Sequence, residues 1–160
     1  MEFIIIYLAV VAAGLCIAYF AVRWTFSQFF DGAVSLKNQS LYRSLLIIAF
    51  SSIAASFISY TIVDKELNNR VLHFLGGGCT AFLLCFLAVK DSKIKITKFQ
   101  FFVFSALLVT AMGVGNELIE FYIQSHYDVI SAQSVFDTWR DLASNTLGIF
   151  VAGALLVPFL

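Results

Sequence analysis

Apolar residues fall into five long blocks separated by short polar stretches: Phe3–Val22, Ser44–Val63, Val71–Val89, Phe99–Ile123 and Leu142–Leu160. Crossing about 30 Å of hydrocarbon takes about 20 helical residues, and each block is close to that length. In lipid, every backbone N–H and C=O must be paired within its own segment, so blocks of this kind are helices. The period-two alternation of a half-buried strand is absent. The pattern predicts an all-α, polytopic membrane helix bundle, a single transmembrane domain over residues 1–160 with about five spans. The first block starts Met1-Glu2 with no basic leader, and no small-residue cleavage site follows it. It is therefore expected to be a retained span and not a signal peptide.

Polar residues interrupt the blocks at few points. His73 is the only histidine, acid or base in the third block. The fourth runs uncharged from Phe99 to Asn116 and then carries Glu117 and Glu120. An ionised side chain at the centre of a membrane helix costs roughly 2.5–3.5 kcal/mol on insertion scales, and less near the ends. A like-charged pair one turn apart needs something to neutralise it. Asp137 and Asp141 approach the fifth block, and Asn145 lies one turn inside it.

At about 100° per residue, Gly113, Glu117, Glu120 and Gln124 share one face of their helix. Asp137, Asp141 and Asn145 recur every four residues, and Gly148 and Ala152 continue the stripe. Ser144, Gly148 and Ala152 form a small-xxx-small row, which lets helix backbones approach closely in lipid. The polar stripe is thus expected to face other helices. His73, Gly76, Gly77 and Thr80 share a face in the same way, and Gly76-Gly77-Gly78 predicts close packing or a local break.

Composition supports the membrane assignment. Hydrophobic residues make up 61% of the chain and charged residues 12%, against about a quarter charged in soluble domains. The net charge of zero gives a nucleic-acid partner no electrostatic support. Cys16, Cys79 and Cys85 lie in apolar runs without metal-ligand spacing and read as small buried hydrophobes.

The first and third loops hold seven of the ten Lys and Arg, the second and fourth the other three. The positive-inside rule then predicts the N-terminus outside and the C-terminus inside. The long first loop, Trp24–Arg43, is aromatic and is expected to lie along the inner interface as an amphipathic segment. Asp64, Lys65 and Glu66 read as a solvated turn. This topology gathers His73, Glu117, Glu120, Asp137, Asp141 and Asn145 in the outer leaflet, with nothing comparable expected at the inner ends.

The same residues carry a family resemblance. Asn69-Arg70-Val71-Leu72-His73-Phe74-Leu75-Gly76-Gly77 resembles the Asp-Lys/Arg-x-x-His-Phe segment of VanZ-like membrane proteins. Those proteins share it with a neighbouring group of small bacterial inner-membrane proteins of unknown function. Glu117-Leu118-Ile119-Glu120-Phe121 is similar to the Glu-x-x-Glu-aromatic element of that second group. The stretch from Asp137 to Gly148 resembles the closing Asp-x-x-x-Asp-x-x-x-Asn-x-x-Gly element of both. Asn69 stands where the family has Asp, and the double Glu replaces the acid-and-Gln element of VanZ-like proteins, which favours the neighbouring group. The resemblance implies a bacterial cytoplasmic membrane and, on the VanZ side, an association with glycopeptide (teicoplanin) resistance. It implies no reaction.

Three functions fit. The first is a cell-envelope site built from His73, Glu117, Glu120, Asp137, Asp141 and Asn145, binding a divalent cation or a lipid or cell-wall precursor headgroup. His73, Glu117 and Glu120 are the candidate metal ligands. Arg70 and Arg140 are candidate charge partners, and a proton shared between neighbouring carboxylates is a third way to balance the charge. In an enzymatic version His73 would be the general base or a metal ligand. No nucleophile motif accompanies it, and the Arg and Lys residues that clamp phosphate are missing. The second function is a proton- or ion-coupled transporter subunit; the third is a structural assembly partner.

Overall fold

The computed structural model of the chain describes residues 2–31, 39–127 and 135–160, the side chains of residues 2–12 and 39 excepted. Everything regular in it is helical. Helix α1 covers Glu2–Phe29 and α2 Gln39–Tyr60. Helix α3, Lys65–Leu72, runs into a π-helical segment, His73–Thr80, and on into α4, Ala81–Ser92. Helix α5 covers Lys98–Tyr127 and α6 Val135–Leu156, with a closing 3₁₀ turn at Val157–Phe159.

Among the described residues, four helices are long and apolar enough to cross a membrane: Ser40–Tyr60, Lys65–Ser92, Lys98–Tyr127 and Val135–Phe159. The block Phe3–Val22 lies within α1. Large apolar side chains such as Ile17, Phe50, Phe57, Leu107 and Phe150 stand exposed around the bundle. In a chain of this kind that surface meets lipid acyl chains, and the protein is a multi-pass helical membrane protein.

Local chemistry sets the helix ends. The Asp64 carboxylate accepts the Leu67 N–H at 2.8 Å and caps α3, satisfying one of the four N–H groups that a helix start leaves open. Lys93 turns left-handed, φ 49°, and sends its N–H back to the carbonyls of Lys90 and Val89 to stop α4.

The expected interfacial segment over Trp24–Arg43 is corrected at its two ends, while residues 32–38 lie outside the described residues. Residues 24–29 continue α1, and α2 has already begun at Gln39. No Pro or Gly interrupts residues 22–29. Tyr19, Val22 and Phe26, at helical spacing, are all buried. Phe26 packs on α5, its ring centroid 4.9 Å from that of Phe104 and 6.1 Å from that of Phe101. The stretch Asn38-Gln39-Ser40, which matches the Asn-x-Ser glycosylation pattern, starts outside the described residues.

The most intimate packing joins α6 to the π segment. A Cβ placed on Gly148 would lie 2.3 Å from the Phe74 carbonyl oxygen and 2.8 Å from the Gly78 Cα. The two backbones therefore touch, as the small-residue row predicted. On α5 the buried positions are Phe101, Ser105, Val109, Gly113 and Glu117, one every four residues. On α6 they include Asp141, Asn145, Gly148 and Ala152. Both inward stripes match the expectation.

Candidate functional site

The site forms where the head of the π segment, the last third of α5 and the first half of α6 meet. One ligand atom each from His73, Glu117 and Glu120 can be chosen so that all lie within 4.8 Å of one another. Glu117 is 8% exposed, and its Oε1 is buried with no hydrogen-bond partner among the described residues. Thr138, on α6, lies near the same carboxyl group. Glu120 Oε1 accepts a 2.6 Å hydrogen bond from Asn116 Nδ2, one turn earlier.

Asp141, 3% exposed, stands behind the imidazole, its Oδ2 3.5 Å from His73 Nε2. Asn69 Nδ2 donates to both Asp141 oxygens, at 2.9 and 3.0 Å. A carboxylate facing one imidazole nitrogen favours one ring orientation and leaves the other nitrogen for a ligand. Asp137 is half-buried one turn before Asp141, near enough for its charge to be felt there.

Asn145 reaches the centre of the three helices because two glycines make room for it. A Cβ on Gly77 would lie 2.1 Å from Asn145 Oδ1, and one on Gly113 would lie 2.9 Å from its Nδ2. The residue is 4% exposed, and Oδ1 has no hydrogen-bond partner among the described residues. A π turn carries an extra residue relative to the α register and often marks functional positions. Here it begins at His73. Thr80 closes it with a hydrogen bond from Oγ1 to the Leu75 carbonyl at 2.9 Å and contacts Ser51 Oγ at 2.8 Å.

All six candidate residues thus gather at one end of the bundle. The two candidate charge partners lie close by but face elsewhere. Arg70 and Arg140 both form ion pairs with Glu66, and the Arg140 guanidinium also lies 4.0 Å above the Phe136 ring centroid. Glu66, read from the sequence as part of a solvated turn, is half-exposed and bridges α3 to α6. Three carboxylates, Glu117, Glu120 and Asp141, lie around one imidazole, an arrangement whose excess negative charge can be balanced by a shared proton or by a cation.

A cavity of about 450 Å³ opens beside this cluster. It shares His73, Glu120, Asn116 and Asn145 with the site and extends to Ser52, Ser56 and Thr80. The serines had only a faint signal, spacing i, i+4 in a block that also holds Ser44, Ser51, Ser59 and Thr61. Asn116 had one too, a turn before Glu120.

The expectation that nothing comparable lies at the opposite ends is corrected. There Tyr19 hydroxyl donates to Asp91, and Arg23 Nε donates to Ser92 Oγ at 2.9 Å. Arg23 is 1% exposed, although the hydropathy pattern assigns it to a loop. Its pairing with Ser92, 69 positions away, is tertiary, and no local signal carries it. Of the cysteines, Cys85 is buried and Cys16 and Cys79 are half-buried; all three are free.

Compared with known proteins, residues 2–160 match a family described as predicted membrane protein (DUF2238). No curated protein and no solved structure matches the chain.

Proposed function

The chain belongs to this DUF2238 family of predicted membrane proteins, and from that premise we propose that it holds a divalent cation at the outer-leaflet end of its bundle in the bacterial cytoplasmic membrane. One observation carries the reading: ligand atoms of His73, Glu117 and Glu120 converge within 4.8 Å, and Glu117 Oε1 is buried without a partner among the described residues. An orphaned buried carboxylate oxygen is costly. A metal ion would satisfy it and balance the charge of its neighbours.

The donor set narrows the ion. Imidazole suits Zn, Fe and Ni, whereas carboxylates suit Mg, Ca and Mn. One imidazole with two carboxylates favours a transition-metal ion such as Mn²⁺ or Zn²⁺. The assignment to the outer leaflet follows from the Lys and Arg of the loops. Below the cavity, buried Phe82, Leu84, Cys85 and Phe86 fill the bundle, which favours a binding site over a path for a transported ion. The VanZ-like resemblance runs through the same residues and adds a link to glycopeptide (teicoplanin) resistance.

The test is calorimetric titration of chelator-stripped protein in detergent with Mn²⁺ and Zn²⁺. One ion per chain is expected for the wild type. Glu117→Gln keeps a hydrogen-bonding side chain of the same shape and is expected to abolish that binding while the protein stays folded. Unchanged affinity in E117Q would overturn the reading.

A further inference from the structure

The cation accounts for one corner of the site only. The adjoining cavity, about 450 Å³, falls within the ~300–1,000 Å³ of small-molecule pockets and far exceeds what an ion needs. Among the described residues its lining includes no Lys or Arg, and its only acid is Glu120. An anionic headgroup would meet that carboxylate with no basic lining residue to pair with. Apart from the His73 imidazole, the other polar groups are neutral amides and hydroxyls: Asn69, Asn116, Asn145, Ser52, Ser56 and Thr80. Such groups both donate and accept, which is the complement of alcohol hydroxyls.

Two further features point to an occupant. Asn145 lines the cavity, is 4% exposed, and leaves Oδ1 buried without a partner among the described residues. That acceptor calls for a donor from beyond the described residues. Leu15, Leu72 and Met112 supply apolar wall beside the polar groups, a surface for the C–H face of a ring. Leu84, itself buried, marks the floor, so the cavity ends inside the bundle.

We propose that this cavity takes an uncharged polyhydroxylated group, the chemistry of a sugar, seated beside the ion held by His73, Glu117 and Glu120. The placement beside an ion rests on the cation reading above. The sugar comes either from a glycolipid headgroup or from a free saccharide, and the test separates these sources.

The full chain is placed in phosphatidylcholine nanodiscs and studied by native mass spectrometry, in Mn²⁺ and again in EDTA. Four probes are added in turn: monoglucosyl diacylglycerol, phosphatidylglycerol, phosphatidylethanolamine and free maltose. Retention of the glucosyl lipid assigns a headgroup, and retention of maltose alone assigns a free saccharide. Either supports the proposal. The Ser52→Ala/Ser56→Ala double variant is expected to weaken retention about tenfold, as for two neutral hydrogen bonds lost. It should leave the Mn²⁺ titration unchanged, because neither serine belongs to the ligand trio. Preferred retention of phosphatidylglycerol or phosphatidylethanolamine overturns the proposal, as does equal retention by the double variant. Failure of Mn²⁺ to bind overturns the cation reading alone, and the EDTA arm then decides on the sugar by itself.

Discussion

Asn69 acts on the site without entering the ligand trio. It holds both oxygens of Asp141, and Asp141 in turn faces His73. Outer partners of this kind typically set metal affinity by about 10–100-fold. Asn69→Leu removes both donors at similar volume, so Mn²⁺ affinity is expected to fall within that range while helicity, followed by circular dichroism, is unchanged. Binding as tight as wild type would separate Asp141 from the site. Because the ligands must lose their protons to bind, affinity in the wild type should weaken as pH falls. At this scale the sequence was informative where chemistry is local. Glu117, Glu120 and Asn145 stood out as polar residues in apolar runs, and helix spacing aimed them inward. It was mute about the Tyr19–Asp91 and Arg23–Ser92 contacts, which form only after the chain folds.

Among the elements, α6 and the π segment are joined backbone to backbone. Gly148→Ala would put a methyl 2.3 Å from the Phe74 carbonyl oxygen and 2.8 Å from the Gly78 Cα, and neither backbone atom can swing aside. Overpacking of this kind costs about 1–3 kcal/mol. At Gly115, by contrast, an added methyl would meet nothing within 4 Å. Thermal unfolding in detergent should show a lowered midpoint for G148A and little change for Gly115→Ala. Equal midpoints would mean that the contact is not maintained. The glycine row was readable because it recurs at helical spacing. The π register was not, since the sequence Gly76-Gly77-Gly78 permits several backbone paths and the packing of α6 selects one. The segment after Val22 has the opposite cause. Its Arg, Ser and Gln residues suggested a loop, but the buried Tyr19–Val22–Phe26 stripe carries the helix onward.

Across the whole molecule, polar groups concentrate at both ends and apolar packing fills the space between. The buried layer of Phe82, Leu84, Phe86 and Phe101 separates the acidic site from the Arg23–Ser92 pair. The proposed orientation puts the acidic end outside. Single cysteines introduced into an otherwise cysteine-free protein test this with a membrane-impermeant maleimide. In intact cells Ser125→Cys should label and Lys93→Cys should not; the reverse pattern would invert the topology. Four of the five blocks were legible as possible spans from the start, since hydropathy needs no partner to be read, and the first block lies within α1.

The π segment has one more consequence. It acts as a one-residue phase shift between two lengths of helix that would otherwise share a single screw. Delete Gly76 and the register closes to an ordinary α turn. Everything before it then turns by about 100° about the axis, carrying Asn69 and His73 off the face they now share with Glu117 and Asp141. Length, charge and hydropathy hardly change, so the variant should still insert in the membrane and lose the proposed Mn²⁺ binding. Full Mn²⁺ binding after the deletion would show that the phase of this helix is not what aims His73.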